Sequence, residues 1–152
     1  MKTFLNILYW FLIVIALIQF IPVDRTNKPV DKKVNFVNVM ETPSRVQELI
    51  KTSCYDCHSN ETVYPDIAYV APISWSIKHN VNKARRHLNF SEWGTYNKEL
   101  KSGMLENAAG MLMENKMPIP GYIAQHPEAR LSAGEKKLLV NYFEGLLESG
   151  KY

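Results

Sequence analysis

The chain has two kinds of hydrophobic pattern: one continuous apolar stretch near its start, and apolar residues at helical spacing further on. Phe4 to Ile21 is an 18-residue apolar stretch that is interrupted only by Asn6 and Gln19 and preceded by Lys2. A helix of that length just spans the hydrocarbon core of a bilayer. Because no small-residue cleavage site follows, the sequence predicts an uncleaved signal anchor, a transmembrane helix within residues 1–21. A cleaved signal peptide is the alternative.

Both alternatives export the rest of the chain. Positive charge at the start of an anchor stays in the cytoplasm, so the residues after the anchor are expected outside. Residues 22–41 are polar and contain Pro22 and Pro29. They are predicted to be a tether that lifts a domain of residues 42–152 off the membrane. Four apolar residues of this tether could pack against the domain: Val34, Phe36, Val37 and Val39.

Within the domain the apolar residues recur at helical spacing. The predicted helices run from Pro43 into Cys54 and over 74–88, 103–115 and 132–150, with a shorter turn or helix after Ser91. Thr42 suits the cap of the first helix. Ser132 and Glu135 form a capping box, and Gly150 suits the end of the last helix. Since no segment long enough for a sheet alternates with a period of two, the fold class is predicted to be all-α.

Composition and charge narrow the class of function. The net charge of +3 is spread without a dense basic run, so we expect no nucleic-acid partner. An apolar fraction of 46% suffices for a small core, which a buried cofactor would enlarge. The only two cysteines are three positions apart. They cannot build a disulfide framework and need a local chemical explanation.

That explanation is the pentapeptide Cys54-Tyr55-Asp56-Cys57-His58. Haem attachment needs two thiols on one side of a short turn and an imidazole directly after them to reach the iron. We therefore predict one covalently attached haem c, with thioethers at Cys54 and Cys57 and with His58 as the proximal iron ligand. The alternatives are weaker, because zinc would want two more close ligands and a redox dithiol would not require the histidine.

The second axial ligand is predicted to be Met117. It precedes Pro118 in a segment whose two prolines forbid a helix, and such a rigid loop can hold a thioether against the iron. Other methionines are more often core filler; these are Met104, Met111 and Met113. His79, His126 and an open iron remain as alternatives. Methionine ligation raises the reduction potential, whereas an open position favours ligand chemistry.

Further contacts are expected around the haem. The ring N–H of His58 needs an acceptor that fixes the ring, and the sequence favours the carbonyl of Pro72 over that of Pro65. The haem propionates need hydrogen-bond donors. Four residues are candidates for this role: Tyr64, Trp75, Arg85 and Arg86.

Several segments resemble a known family. They are Cys57-His58-Ser59-Asn60, Tyr64-Pro65, Ala71-Pro72-Ile73-Ser74-Trp75, His79, Leu88-Asn89-Phe90-Ser91-Glu92-Trp93, Met117-Pro118 and His126-Pro127. The motif, the Met117-Pro118 loop and the capped last helix are similar to class I cytochromes c. Over roughly residues 40–150 the chain more closely resembles the small bacterial haem-binding domain family. This resemblance implies a class I cytochrome c-like helical domain with a single haem, tethered to the bacterial inner membrane and facing the periplasm.

These expectations combine into one function. The chain is predicted to be an electron-transfer cytochrome rather than an enzyme, acting with a redox partner protein or a respiratory membrane complex. The alternative is a haem enzyme or a gas or redox sensor with an open or displaceable distal site. His79 or His126 could serve such a site, although the sequence supplies no clear distal acid–base pair.

Overall fold

The computed structural model describes all of residues 1–152 and contains helices and no β-strands. The all-α fold expected from the periodicity is therefore confirmed. The α-helices are α1 Lys2–Ile18, α2 Phe36–Val39, α3 Ser44–Ser53, α4 Tyr55–His58, α5 Ile73–His87, α6 Lys98–Met113, α7 Pro120–Gln125 and α8 Ala133–Ser149. Short 3-10 turns cover Asp66–Tyr69, Phe90–Thr95 and Pro127–Ala129.

The amino-terminal helix α1 stands outside the core. None of its residues is buried, and Phe4, Trp10 and Leu17 are each more than half exposed. The helix ends before Gln19, whose side-chain amide pairs with both backbone groups of Ala71 at 2.9 and 3.0 Å. None of the helices in this structure has both the length and the apolar character that crossing a membrane requires.

The core reaches into the segment that the sequence assigns to the tether. The Asn35 side chain caps α2 by accepting a hydrogen bond from the Val37 N–H at 3.3 Å. Phe36, the first residue of α2, is fully buried. Its ring meets four aromatic rings edge-on at centroid distances of 4.9 to 6.4 Å; they belong to Phe90, Trp93, Tyr142 and Phe143. The packed domain therefore begins before residue 42.

The other side of the core is the packed pair α6 and α8. As predicted, α8 begins at a capping box, in which Ser132 Oγ accepts from the Glu135 N–H and Glu135 Oε2 accepts from the Ser132 N–H. It ends at Gly150, whose φ of 63° is left-handed. In contrast, α6 begins at Lys98 rather than at residue 103, because the Asn97 side chain caps it through the Leu100 N–H at 2.8 Å.

Residues 19–27, called the strap here, lie along the loop that follows the Cys54–His58 motif. Besides the Gln19 pair, Arg25 Nη1 donates to the Ala68 carbonyl at 3.3 Å, and its guanidinium lies 4.1 Å from the centroid of the Tyr69 ring. Asn27 Nδ2 donates to the Thr62 carbonyl at 2.8 Å. The strap thus connects α1 to the motif loop by side-chain contacts.

Candidate functional site

The Cys54–His58 motif lies at the junction of two helices. α3 ends at Ser53, and α4 begins at Tyr55. The Cys54 carbonyl accepts hydrogen bonds from the N–H groups of Cys57 at 3.2 Å and His58 at 2.8 Å. This turn brings the two thiols close enough to interact electrostatically and places the imidazole directly beyond them.

Both cysteines are neutral thiols near pH 7. Burial, followed by the neighbouring Cys57, raises the pKa of Cys54 to about 12. Burial, followed by Asp56, raises the pKa of Cys57 to about 11. Redox-active cysteine pairs instead have lowered pKa values, because the thiolate is the reactive form. The environment of these thiols therefore disfavours disulfide exchange. Moreover, no group of three or more His, Cys, Asp or Glu side chains is placed to hold a metal ion.

The ring of His58 is oriented by one backbone acceptor. His58 Nδ1 lies 3.0 Å from the carbonyl oxygen of Leu88. Since a carbonyl can only accept, Nδ1 carries the proton and Nε2 keeps a free lone pair. Burial lowers the pKa of His58, which favours the neutral imidazole. A neutral ring with one nitrogen tied to a carbonyl is the arrangement of a metal-binding histidine.

The acceptor is not the carbonyl of Pro72, so that prediction is wrong. Pro72 is exposed at the start of α5, and its carbonyl accepts from the Trp75 and Ser76 N–H groups of the first turn. Leu88 lies at the other end of the same helix. Its backbone is extended, so its carbonyl leaves the helical hydrogen-bond pattern and can face the histidine.

Arg85 holds the loop that follows the motif. Its Nε donates to the Ser59 carbonyl at 2.7 Å, and its Nη2 donates to Asn27 Oδ1 at 2.7 Å and Thr62 Oγ1 at 2.9 Å. Ser59 is fully buried, so this arginine satisfies a carbonyl that solvent cannot reach. The predicted propionate donor is thus largely engaged by the protein itself, with Nη1 as its remaining donor group.

The segment from Leu88 to Trp93 is hydrogen-bonded to the residues that follow His58. The Asn89 side chain is buried and joins Asn60 Oδ1 at 2.9 Å to the Ser91 N–H at 3.0 Å. Ser91 Oγ in turn accepts from the Asn60 N–H at 2.9 Å. These bonds clamp the residues after His58 to the segment that carries the Leu88 carbonyl. The part of the sequence resemblance that lies here therefore has a structural role.

One known protein family matches this chain. The haem-binding domain family matches residues 13–145, which is most of the molecule. The chain belongs to the haem-binding domain family. No curated protein and no solved structure gives a significant match to the chain.

The haem-binding domain carries two buried donors without partners in the predicted propionate region. The Tyr64 hydroxyl and the Trp75 Nε1 are shielded from solvent and make no hydrogen bond with the protein. An unpaired buried donor costs about 1–3 kcal/mol, and a haem carboxylate would accept from either group. These two donors, the two thiols and the free Nε2 of His58 form a set that fits a haem.

One cation near Tyr64, the side chain of Lys78, was not predicted from the sequence. Lys78 follows Trp75 by one helical turn, and its Nζ lies 6.0 Å from the centroid of the Tyr64 ring. Arg86, a predicted donor on the same helix, is exposed and makes no ion pair. The signal that could have identified Lys78 is its spacing of three residues from Trp75.

The predicted axial candidates lie in different settings. Met117 is half-buried, beside the buried Pro118, in the segment between α6 and α7. His79 is exposed on α5. His126 stacks on Tyr122 at 4.5 Å between ring centroids, and its Nδ1 lies 3.0 Å from Glu128 Oε1. Met117 and His126 thus share one segment, whereas His79 belongs to the helix that carries Trp75.

Proposed function

We propose that this haem-binding domain is a monohaem c-type cytochrome that transfers single electrons and is not an enzyme. The observation that carries the proposal is the motif turn. Two neutral thiols lie beside an imidazole whose Nδ1 is fixed by the Leu88 carbonyl and whose Nε2 is free. Thioether attachment requires two free thiols, and iron ligation requires an Nε2 lone pair that no other group occupies.

Each residue then has one task. Cys54 and Cys57 bind the two vinyl groups of the porphyrin, and His58 binds the iron from the proximal side. Bound haem supplies the one-electron iron(III)/iron(II) couple. Tyr64 and Trp75 donate hydrogen bonds to the propionates, because each carries a buried donor that the protein leaves unpaired.

Met117 is the proposed second axial ligand. Its support is its place in a half-buried loop bounded by Pro118, together with the engagement of the His126 ring by Tyr122 and Glu128. A thioether ligand occupies the position that an enzyme or a gas sensor would need open. With methionine in place, the protein's work reduces to binding, orienting and burying the haem.

The proposed location is the periplasmic side of the bacterial inner membrane, with α1 as a single anchor. Supporting this is the apolar surface of α1, which has no buried residue and exposes most of its large apolar side chains. Lipid is the partner that would cover such a helix. The proposed redox partners are therefore proteins at the same membrane, such as a respiratory complex. Deleting residues 1–21 should move the protein from the membrane fraction to the soluble fraction, and retention in the membrane fraction would refute the anchor.

Spectra of the purified holoprotein test the central proposal. We expect a reduced, low-spin c-type spectrum, a methionine-to-iron band in the far red of the oxidised form, and no rapid change with carbon monoxide. Rapid carbon monoxide binding by the untreated protein would favour the sensor or enzyme instead. Met117→Ala should abolish the far-red band, whereas Met113→Ala, an exposed methionine nearby, should retain it.

Attachment is tested by the haem that survives denaturation. Cys57→Ala should yield at most a haem with one thioether, recognisable by the shifted spectrum of its pyridine complex. A normal two-thioether haem in that variant would contradict the proposal.

A further inference from the structure

The side chain between the two cysteines joins three parts of the site. Asp56 Oδ1 accepts from the Val63 N–H at 2.9 Å, which holds the loop after the motif. Asp56 Oδ2 accepts from the Tyr122 hydroxyl at 2.7 Å. That hydroxyl also lies 3.3 Å from the Thr52 carbonyl of α3. One carboxylate thus connects the attachment turn to α7.

Tyr122 is the main attachment of the segment that contains Met117. Among residues 116–126, it is the only side chain that hydrogen-bonds to another helix. α7 has no buried residue of its own. Pro118 is buried and Met117, Ile119 and Ile123 are half-buried, and the only backbone hydrogen bonds from the segment to α6 are those of Lys116 and Met117 to the Met111 carbonyl. A segment with so few buried contacts opens easily when its attachment is lost.

We propose that the Asp56–Tyr122 hydrogen bond, called the latch, keeps the Met117 segment closed over the haem and limits access of external ligands to the iron. Both residues are positioning residues, because neither is assigned to the haem. The inference rests on the proposed function in one respect, the assignment of Met117 as axial ligand. It goes beyond that assignment by stating what keeps the methionine in place.

Tyr122→Phe removes the hydroxyl and keeps the ring. Because the acceptor is a carboxylate, losing this bond should raise the opening of the segment by about tenfold or more. We expect amide hydrogen exchange of residues 119–126 to accelerate by that factor in the holoprotein. Carbon monoxide should bind the reduced variant about tenfold or more faster than wild type, since each opening exposes the iron.

Tyr142→Phe is the matched control. Tyr142 is also half-buried, and its hydroxyl forms a 3.1 Å hydrogen bond with Thr42 Oγ1. Its removal is the same chemical change and should reduce stability without accelerating exchange of residues 119–126 or carbon monoxide binding. A purely structural contribution of Tyr122 would make the two variants alike, and that result would overturn the latch.

Asp56→Asn provides a second variant, because an amide oxygen can still accept from Tyr122 but carries no charge. It should produce a smaller acceleration, and combining it with Tyr122→Phe should add little. Unchanged exchange in Tyr122→Phe refutes the latch, and so does faster exchange with an unchanged carbon monoxide rate in a methionine-ligated protein. If wild type lacks the methionine band, the Met117 assignment fails, and the exchange ratio alone then decides whether the latch stands.

Discussion

Arg85→Met should be among the most damaging single changes outside the haem ligands themselves. The arginine donates to the Ser59 carbonyl, Asn27 Oδ1 and Thr62 Oγ1 at 2.7, 2.7 and 2.9 Å. Methionine keeps most of the aliphatic stem and removes all three donors. The change therefore isolates the hydrogen bonds from the packing of the side chain.

The magnitude follows from burial. A hydrogen bond from a charged donor contributes about 1.5–3 kcal/mol, and an orphaned buried acceptor costs a similar amount. Ser59 is fully buried, so water cannot replace the arginine as the donor to its carbonyl. The bonds to Asn27 and Thr62 are partly exposed, and we assign them about 0.5–1 kcal/mol each. The free energy of unfolding should therefore fall by about 2.5–5 kcal/mol, a large share of the 5–15 kcal/mol typical of a domain.

Urea denaturation of the holoprotein, followed by circular dichroism, measures this loss. With a slope of about 2 kcal/mol per molar, the midpoint should fall by roughly 1.3–2.5 M. Arg86→Met is the control, because Arg86 is the exposed neighbour without an ion pair. It should shift the free energy of unfolding by no more than about 0.5 kcal/mol. Equal effects of the two substitutions would refute the assignment of Arg85 as the residue that holds the motif loop.

Three further predictions concern the fold. Phe36→Ala should cost about 3–5 kcal/mol in thermal or urea unfolding, whereas Val39→Ala, on the same short helix but 41% exposed, should cost little; similar losses would contradict the burial of Phe36. Gly94→Ala should destabilise by about 1–3 kcal/mol, because its Cβ would lie 2.9 Å from Val34 Cα. Gly103→Ala, with nothing within 4 Å, should instead stabilise α6 by about 0.5–1 kcal/mol, so a loss at both glycines would be evidence against the close approach at Val34. Hydrogen bonds from Ser132 and the charge of Arg45 lower the pKa of Glu135, so its contribution is present above about pH 4.5 and is lost as the pH falls through the lowered value. The stability difference between wild type and Glu135→Gln should shrink over that range, and a constant difference would show that the charge is not responsible.

The features that the sequence predicts correctly are those that depend on side chains close together along the chain. The capping box at Ser132, the glycine at position 150 and the extent of α5 are short-range signals, and the structure agrees with them. The start of α6 was missed because Asn97 caps a first turn, Lys98-Glu99-Leu100-Lys101, with little apolar periodicity. Local pattern also could not assign Phe36 to the centre of the core, since its aromatic neighbours lie more than 50 residues away along the chain.

In the candidate site, too, the sequence predicts the local features and not the contacts between distant residues. Spacing alone indicates Cys54, Cys57 and His58, because their chemistry needs adjacent positions. The acceptor for His58 is a backbone carbonyl, and a carbonyl has no residue-type signal in the sequence. Its choice depends on where α5 ends, which frees Leu88 rather than Pro72. The role of Asp56 was equally hidden, because its partner Tyr122 is brought close only by the tertiary fold.

The strap changes what the amino-terminal helix can do. A flexible tether would let the domain search many orientations, but Gln19, Arg25 and Asn27 fasten residues 19–27 to the loop at 62–71. If α1 is the anchor that we propose, the haem then faces the membrane partner in a restricted set of orientations. That arrangement favours a partner fixed in the same membrane, since docking loses less rotational freedom. Replacing Gln19 and Arg25 together by alanine should therefore slow electron exchange with membranes while leaving the haem spectrum unchanged. An unchanged rate would mean that orientation by the strap does not limit transfer.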